Sequence, residues 1–327
     1  MSSNVTIKDV AKEASVSIAT VSRVLNNKGF VNSETKNLVQ NAIKKLNYQP
    51  NEIARSLINA QTKTIGILIP DLQNEFFNEL ITGLNEVILS KGHKIMLCMT
   101  KEAENIEKMY LNELAHNKVS GVIICSHLKN IDYFKSLHLP CVFIERPLDD
   151  DTPSVSSNNY RGGTLAAKEL IARHVTEIAY LHGGLQFSAF QDRSKGFFHI
   201  TRKHPQLKVH MLGIDFATDY TDKLSRFFVS HPHIDGIFAI SDHIAAKSIQ
   251  VLHTLGKRIP EDIQIIGYDN TRIAQFLTPP LSTISQPIYE MGQTAARLLF
   301  DVLNGRSVTT PHVVLPVRYI ERGTTRG

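Results

Sequence analysis

No run of 18 consecutive apolar residues occurs in this 327-residue chain, so no transmembrane helix is expected. The first residues are polar and lack an apolar signal-like stretch, so export is not expected and a cytoplasmic location fits. Cysteine is scarce. Cys98, Cys125 and Cys141 are odd in number, lack metal-site spacing and lie in or beside β-like apolar runs. They read as buried thiols in a reducing compartment rather than as a disulfide frame or a metal site. The 14 histidines are scattered, and His231 and His233, either side of a proline, are too few ligands for a metal. Three catalytic or nucleotide motifs are missing: G-x-G-x-x-G after a strand, a G-x-x-x-x-G-K-[ST] loop and a G-x-S-x-G elbow. No enzymatic activity, cofactor or metal is therefore expected.

Net charge is missing from most of the chain. Residues 64–327 hold 27 basic and 27 acidic side chains, whereas residues 1–63 hold nine Lys or Arg against four Asp or Glu. The whole formal excess of +5 thus sits on the N-terminal fifth. A basic small domain on a neutral large one suits phosphate binding, since neutralising phosphates releases condensed counterions.

That N-terminal fifth opens with NVTIKDVAKEASVSIATVSRVLN, residues 4–26. Ile7, Val10, Ala11 and Ala14 recur at helical spacing, Ser17 is placed to cap a second helix, and Val21, Val24 and Leu25 form its inward face. This spacing predicts a helix-turn-helix, with Ser17, Ile18, Ala19, Thr20, Ser22 and Arg23 crowding the exposed first turns of the second helix. A third helix is expected over 33–46 with Leu38, Val39, Ala42, Ile43 and Leu46 inward, and Pro50 ends the domain. Residues 51–64 are polar at both ends and offer about two helical turns, marginal alone in water, so they read as a hinge that turns helical on DNA or a partner chain. From Thr64 onward strand-like and helical patterns alternate, with around ten strands, which predicts two helix-covered parallel sheets. Ligands in such sheets bind beyond the carboxyl ends of the strands.

The residues T-I-K-D-V-A, V-S-x-x-T-V-S-R-V-L-N, L-N-Y-x-P-N and A-R-S-L within the first 60, then G-Y-D-N at 267–270 and T-I-S-Q-P at 283–287, resemble the LacI/GalR family of bacterial transcription repressors over nearly the whole chain. The resemblance implies a mixed α/β architecture: an all-α helix-turn-helix headpiece (1–50), a hinge helix and linker (51–63), and a two-lobed periplasmic-binding-protein-like core of doubly wound parallel sheets (64–327). Its N-lobe would take about 64–160 and 287–318, its C-lobe about 161–286 and 319–327. The implied function is repression from a palindromic operator by a homodimer, controlled by a sugar or sugar phosphate between the lobes. Some relatives answer instead to a phosphorylated carrier protein. A sugar-binding transport protein is the remote alternative, and it would have no use for a basic headpiece.

The same resemblance implies site residues. Thr6 would bind DNA, Ser17, Thr20 and Ser22 would meet phosphates, Arg23 a guanine, Asn26 the DNA at the helix end, and Ile18 and Ala19 thymine methyls. Leu57, flanked by Asn51, Ala54 and Arg55, would wedge into the minor groove. The plain alternative is that Ile18 and Leu57 simply pack in apolar cores. Around the effector the resemblance implies Phe76 and Phe77 in N-E-F-F, with glutamate where the family has proline, the acid–arginine pair Glu145 and Arg146, then Arg193, Phe216, Ser241, Asp269 and Gln286. Asp242 would either bind effector or cap the helix that follows. A sugar is favoured over a purine, and binding is expected to release DNA.

Overall fold

The structure, a computed structural model, describes residues 5–26, 29–48, 62–125, 131–147, 149–184, 187–215 and 218–327. Asn51, Ala54, Arg55, Leu57 and Phe216 lie outside the described residues. No helix among the described residues is long and apolar enough to cross a membrane. The chain divides into two compact units, Met1–Thr62 and Lys63–Gly327.

The first unit holds α1 (Ile7–Glu13), α2 (Ile18–Asn26) and α3 (Ser33–Lys45). Thr6 opens α1, its backbone N–H and its hydroxyl both donating to Asp9 at 2.8 and 2.7 Å. Ser17 caps α2 by accepting the Thr20 N–H at 3.1 Å, and Asn32 caps α3 by accepting from Thr35 at 2.7 Å. Val10, Val21 and Val39, one from each helix, are fully buried, with Ala11, Ala14, Val24 and Ala42 around them. Leu38, expected inward, is 50% exposed. Val39, Ala42, Ile43 and Leu46 fill the i, i+3, i+4, i+7 stripe of α3, and the residue before that stripe is rotated out of it.

The second unit is built on two six-stranded sheets. Sheet 1 contains β1 (Thr64–Ile69), β2 (Lys94–Met99), β3 (Gly121–Ile124), β4 (Cys141–Ile144), β5 (Ser154–Ser157) and β11 (His312–Leu315), in the order β11-β5-β4-β3-β1-β2, all parallel. Sheet 2 contains β6 (Glu177–His182), β7 (Lys208–Gly213), β8 (Gly236–Ala239), β9 (Gln264–Asp269), β10 (Ser282–Ser285) and β12 (Arg318–Ile320), in the order β12-β10-β9-β8-β6-β7. Only the β10–β12 pair is antiparallel.

Helices cover both faces of each sheet, and accordingly every residue of β1 and β9 is buried. On sheet 1, α4 (Glu75–Ser90) and α12 (Ile288–Leu303) share one core, while α5 (Glu104–His116) and α6 (Ile131–Ser136) cover the other face. On sheet 2, α7 (Asn159–Ala172) and α8 (Ser188–Thr201) lie on one face; α9 (Thr221–Ser230), α10 (Asp242–Thr254) and the short α11 (Arg272–Phe276) lie on the other. The chain passes between the sheets three times: after β5, after β10 and between β11 and β12.

Strand β10 was not evident from its sequence. S-T-I-S is mostly polar, yet every residue of it is buried. Its hydroxyls are satisfied from elsewhere: Ser282 with Thr325 at 2.7 Å, and Thr283 to Asp242 at 2.6 Å.

Candidate functional site

Two sites emerge, one in each unit. In the first, α2 presents an open face. Ile18 is 45% exposed and takes no part in the small core, and Ala19 and Arg23 are exposed beside it. The alternative of Ile18 packing in its own domain therefore does not hold. Thr20 and Ser22 are half-buried, and Asn26 is the last residue of α2. The hydroxyls of Ser17 and Thr20 lie 2.9 Å apart and share one proton between them, so the pair keeps a single O–H for an outside acceptor. The face thus offers an apolar patch, a hydroxyl donor and a guanidinium in two turns of helix.

The second site is a cavity of about 160 Å³ at the carboxyl ends of the strands. A single water needs only about 10–15 Å³ on this measure, so the space fits a small ligand rather than a lone solvent molecule. Its walls come from the loops after β1 (Pro70, Asp71, Gln73, Asn74), β2 (Glu102), β3 (Cys125), β4 (Glu145, Arg146) and β8 (Ser241), and from Asp269 at the end of β9. Phe76 and Phe77 of α4 supply one aromatic wall, edge to face with ring centroids 5.3 Å apart. Phe187 and Phe190 supply another, again edge to face at 5.5 Å. Part of the molecule's backbone strain lies at or beside this wall. Glu102, Glu145, Asp269 and Asn270 all have positive φ, of 56°, 59°, 109° and 63°. Non-glycine residues adopt that region at a cost and do so most often at functional sites.

Arg193 organises the polar side. It is 3% exposed, and its Nε donates to Asn159 Oδ1 at 2.7 Å and its Nη1 to the Ile240 carbonyl at 2.8 Å. The guanidinium stacks on the Tyr268 ring with its carbon 3.7 Å from the centroid. Nη2 has no partner among the described residues. Asn159, in turn, donates to Glu145 Oε2 at 2.5 Å, while Glu145 Oε1 accepts the Ser157 N–H at 2.8 Å. Asp269 accepts from Gln286 Nε2 at 2.6 Å through Oδ1, which lies 3.8 Å from Arg193 Nη1. Burial holds the Asp269 carboxyl well above the ordinary carboxylate range. At 3.8 Å the guanidinium does not reverse that, because desolvation outweighs a long ion pair. Helices α7 and α8 approach closely enough for this wiring because a Cβ at Gly163 would strike the Arg193 carbonyl, and one at Gly196 the Tyr160 carbonyl.

Of the effector residues expected from sequence, Phe76, Phe77, Glu145, Arg146, Arg193, Ser241 and Asp269 line the cavity. Asp242 and Gln286 do not. Gln286 bridges the two sheets behind the wall, donating to Asp269 and accepting from Ser157 Oγ at 2.5 Å. Asp242 is buried and holds Thr271 N at 2.7 Å and Thr283 Oγ1. The α10 cap is Ser241, which accepts from Ile244 at 3.4 Å, so Asp242 is neither cap nor wall. Sequence reasoning missed Asn159, Phe187, Phe190, Asp71 and Glu102. The paired asparagines after S-V-S-S and the F-S-A-F turn after β6 were the available signals.

Asp242 sets a pH dependence. Burial raises its carboxyl to about 7, against roughly 3.9 in an unfolded chain. The folded state therefore binds the proton more tightly, and stability is lost as pH rises from about 4 to about 7, with little change beyond. The second unit is expected to be more stable at pH 5.5 than at pH 8 by about 2 kcal/mol in urea titrations. Asp242→Asn should reduce the difference, the raised Asp269 carboxyl keeping a part of it, and an unchanged pH slope in that variant would refute the assignment.

Known proteins resemble the chain over both units. Residues 6–51 match the family described as bacterial regulatory proteins, lacI family, and residues 167–325 match the periplasmic binding protein-like domain. A ribose operon repressor from Halalkalibacterium halodurans is 38% identical over 98% of this chain and 97% of its own length. Among solved structures, a periplasmic binding protein/LacI transcriptional regulator from Alkaliphilus metalliredigens in complex with D-xylulofuranose is 32% identical, with a TM-score of 0.74 over 81% of this chain and all of that one. The lac repressor dimer bound to operator and the anti-inducer ONPF is 26% identical, with a TM-score of 0.88 over 99% of this chain and all of that one. With a basic three-helix unit and a two-sheet core matched over almost their entire length, the chain belongs to the LacI family of bacterial transcription regulators.

Proposed function

We propose that the protein is a sequence-specific transcriptional repressor that grips a palindromic operator as a homodimer and releases it when a neutral, pentose-sized sugar fills the cavity. The observation that carries this reading is the pairing, in one chain, of an exposed α2 face on a basic unit with a cavity walled by phenylalanines and carboxylates. Aromatic faces suit the C–H side of a sugar, and the unpartnered ends of Arg193 and Asp269 suit its hydroxyls. In this reading residues 1–50 read the major groove and 51–63 form the hinge. One short helix reads too few base pairs alone, which is why two copies are needed. Ligand moves the balance only through unequal affinity for two arrangements of the lobes.

The charge of the wall favours an unphosphorylated sugar. Asp71, Glu102 and Glu145 face Arg146 and Arg193, and the buried Asp269, held toward its neutral form, adds no positive charge to offset them. Burial, and then the charges of Asp71 and Asp215, already push the Glu102 carboxyl up. A phosphate dianion there would meet further repulsion in a poorly solvated space. Calorimetric titration of the intact protein with neutral pentoses, hexoses and pentose phosphates tests this. A neutral pentose should bind at least ~100-fold more tightly than its phosphate ester, the equivalent of about 2.7 kcal/mol. Tightest binding by the ester, or a response only to a phosphorylated carrier protein, would contradict it.

A further inference from the structure

Beyond the cavity wall, the halves built on the two sheets touch at a place the proposed effector does not reach. Glu75, the first residue of α4, sends Oε2 to the backbone N–H of Ile273 in α11, 198 residues away in sequence, at 3.0 Å. Asn74 and Phe76, on either side of Glu75, line the cavity, while Glu75 itself does not. Other links between the halves at this end, Asn159 to Glu145 and to the Ser157 carbonyl among them, differ in kind. Gln286 ties Ser157 to Asp269 beside a chain crossover, and Ser188 donates to the Glu145 carbonyl from within the wall at 3.1 Å. Glu75 reaches from outside the wall to α11, an element that holds no wall residue. Its acceptor also fills a need, because the early N–H groups of a helix have no partner within it, and Thr271 N is already taken by Asp242. The position carries a cost, since burial and then the Glu75 charge push the Glu79 carboxyl up.

We infer that Glu75 is a clasp that favours the closed arrangement of the two halves and so sets how tightly the cavity holds its sugar, without touching the sugar. A charge-assisted bond made only when the halves meet raises the fraction of molecules ready to bind, and apparent affinity scales with that fraction. The inference rests on the effector reading above, and the test separates the two. Glu75→Ala and Glu75→Gln would be titrated with D-ribose and D-xylose, and amide hydrogen exchange would be followed at Ile273. Glu75→Ala should weaken both sugars by about ten-fold, with Glu75→Gln in between, the ratio of the two affinities unchanged, and faster exchange at Ile273. Unchanged affinity in Glu75→Ala, a changed ratio between the sugars, or unchanged exchange at Ile273 would overturn the clasp. If the unaltered protein binds neither sugar, the effector reading fails instead, and exchange at Ile273 in the variants alone decides whether the clasp exists.

Discussion

Replacing Arg193 by alanine should leave operator binding intact and cut sugar affinity by about 100-fold or more, giving a repressor that no longer lets go. The guanidinium holds Asn159, the Ile240 carbonyl and the Tyr268 ring in one arrangement. Its removal costs the ligand a charged donor and frees Asn159, which in turn positions Glu145. Loss of a buried cation usually strands its partner charge, at a cost of about 3–5 kcal/mol. Here the partner is Asp269, whose carboxyl burial already holds well above the usual range, so it can take up a proton and stay neutral. The fold should therefore survive, as judged by an unfolding transition that remains single and cooperative. Arg193→Lys keeps the charge but not the planar fork, and should fall between the two. Sugar affinity within three-fold of the unaltered protein, by calorimetry, would remove Arg193 from the site.

The second large effect is expected at Arg23. It is exposed near the end of α2, on the same open face as Ile18 and Ala19. A bidentate arginine–guanine contact discriminates against a wrong base by about 1–3 kcal/mol. A dimer uses the contact twice, so Arg23→Ala should weaken operator binding by roughly 30-fold to 10⁴-fold. It should also relax preference at one symmetric pair of base positions. Selection from a palindromic duplex library reads both effects. If affinity falls while the ranking of sequences is untouched and the salt slope drops instead, Arg23 meets phosphate rather than a base.

The parts of the molecule legible in the sequence are those fixed by local periodicity. Val10, Val21 and Val39 were inward by spacing alone and are fully buried. The long apolar strands and the longer helices between them were evident for the same reason, whereas the short α6 and α11 were not. Legibility failed where a residue's role depends on partners far along the chain. The hydroxyl-rich β10 is a buried strand only because Thr283 meets Asp242 and Ser282 meets Thr325. Asn159 looks like an ordinary helix start, yet it ties Glu145 to Arg193. Asp242 looked like a ligand or a cap because it follows a strand, but its carboxylate is spent on Thr271 and Thr283. Glu75 looked like a mere departure from a stiff proline loop, and its contact with Ile273 lies 198 residues away.

The central claim, that a basic paired head holds duplex DNA and a neutral core decides when to release it, is tested most directly by one binding assay. Full-length protein would be titrated against a palindromic operator and against scrambled duplexes, from about 50 to 200 mM salt, with and without D-ribose. The account predicts preference for the palindrome by about 10³-fold or more, a steep fall with salt, and release when the sugar is added. Equal, weak affinity for every duplex, indifferent to sugar, would contradict it.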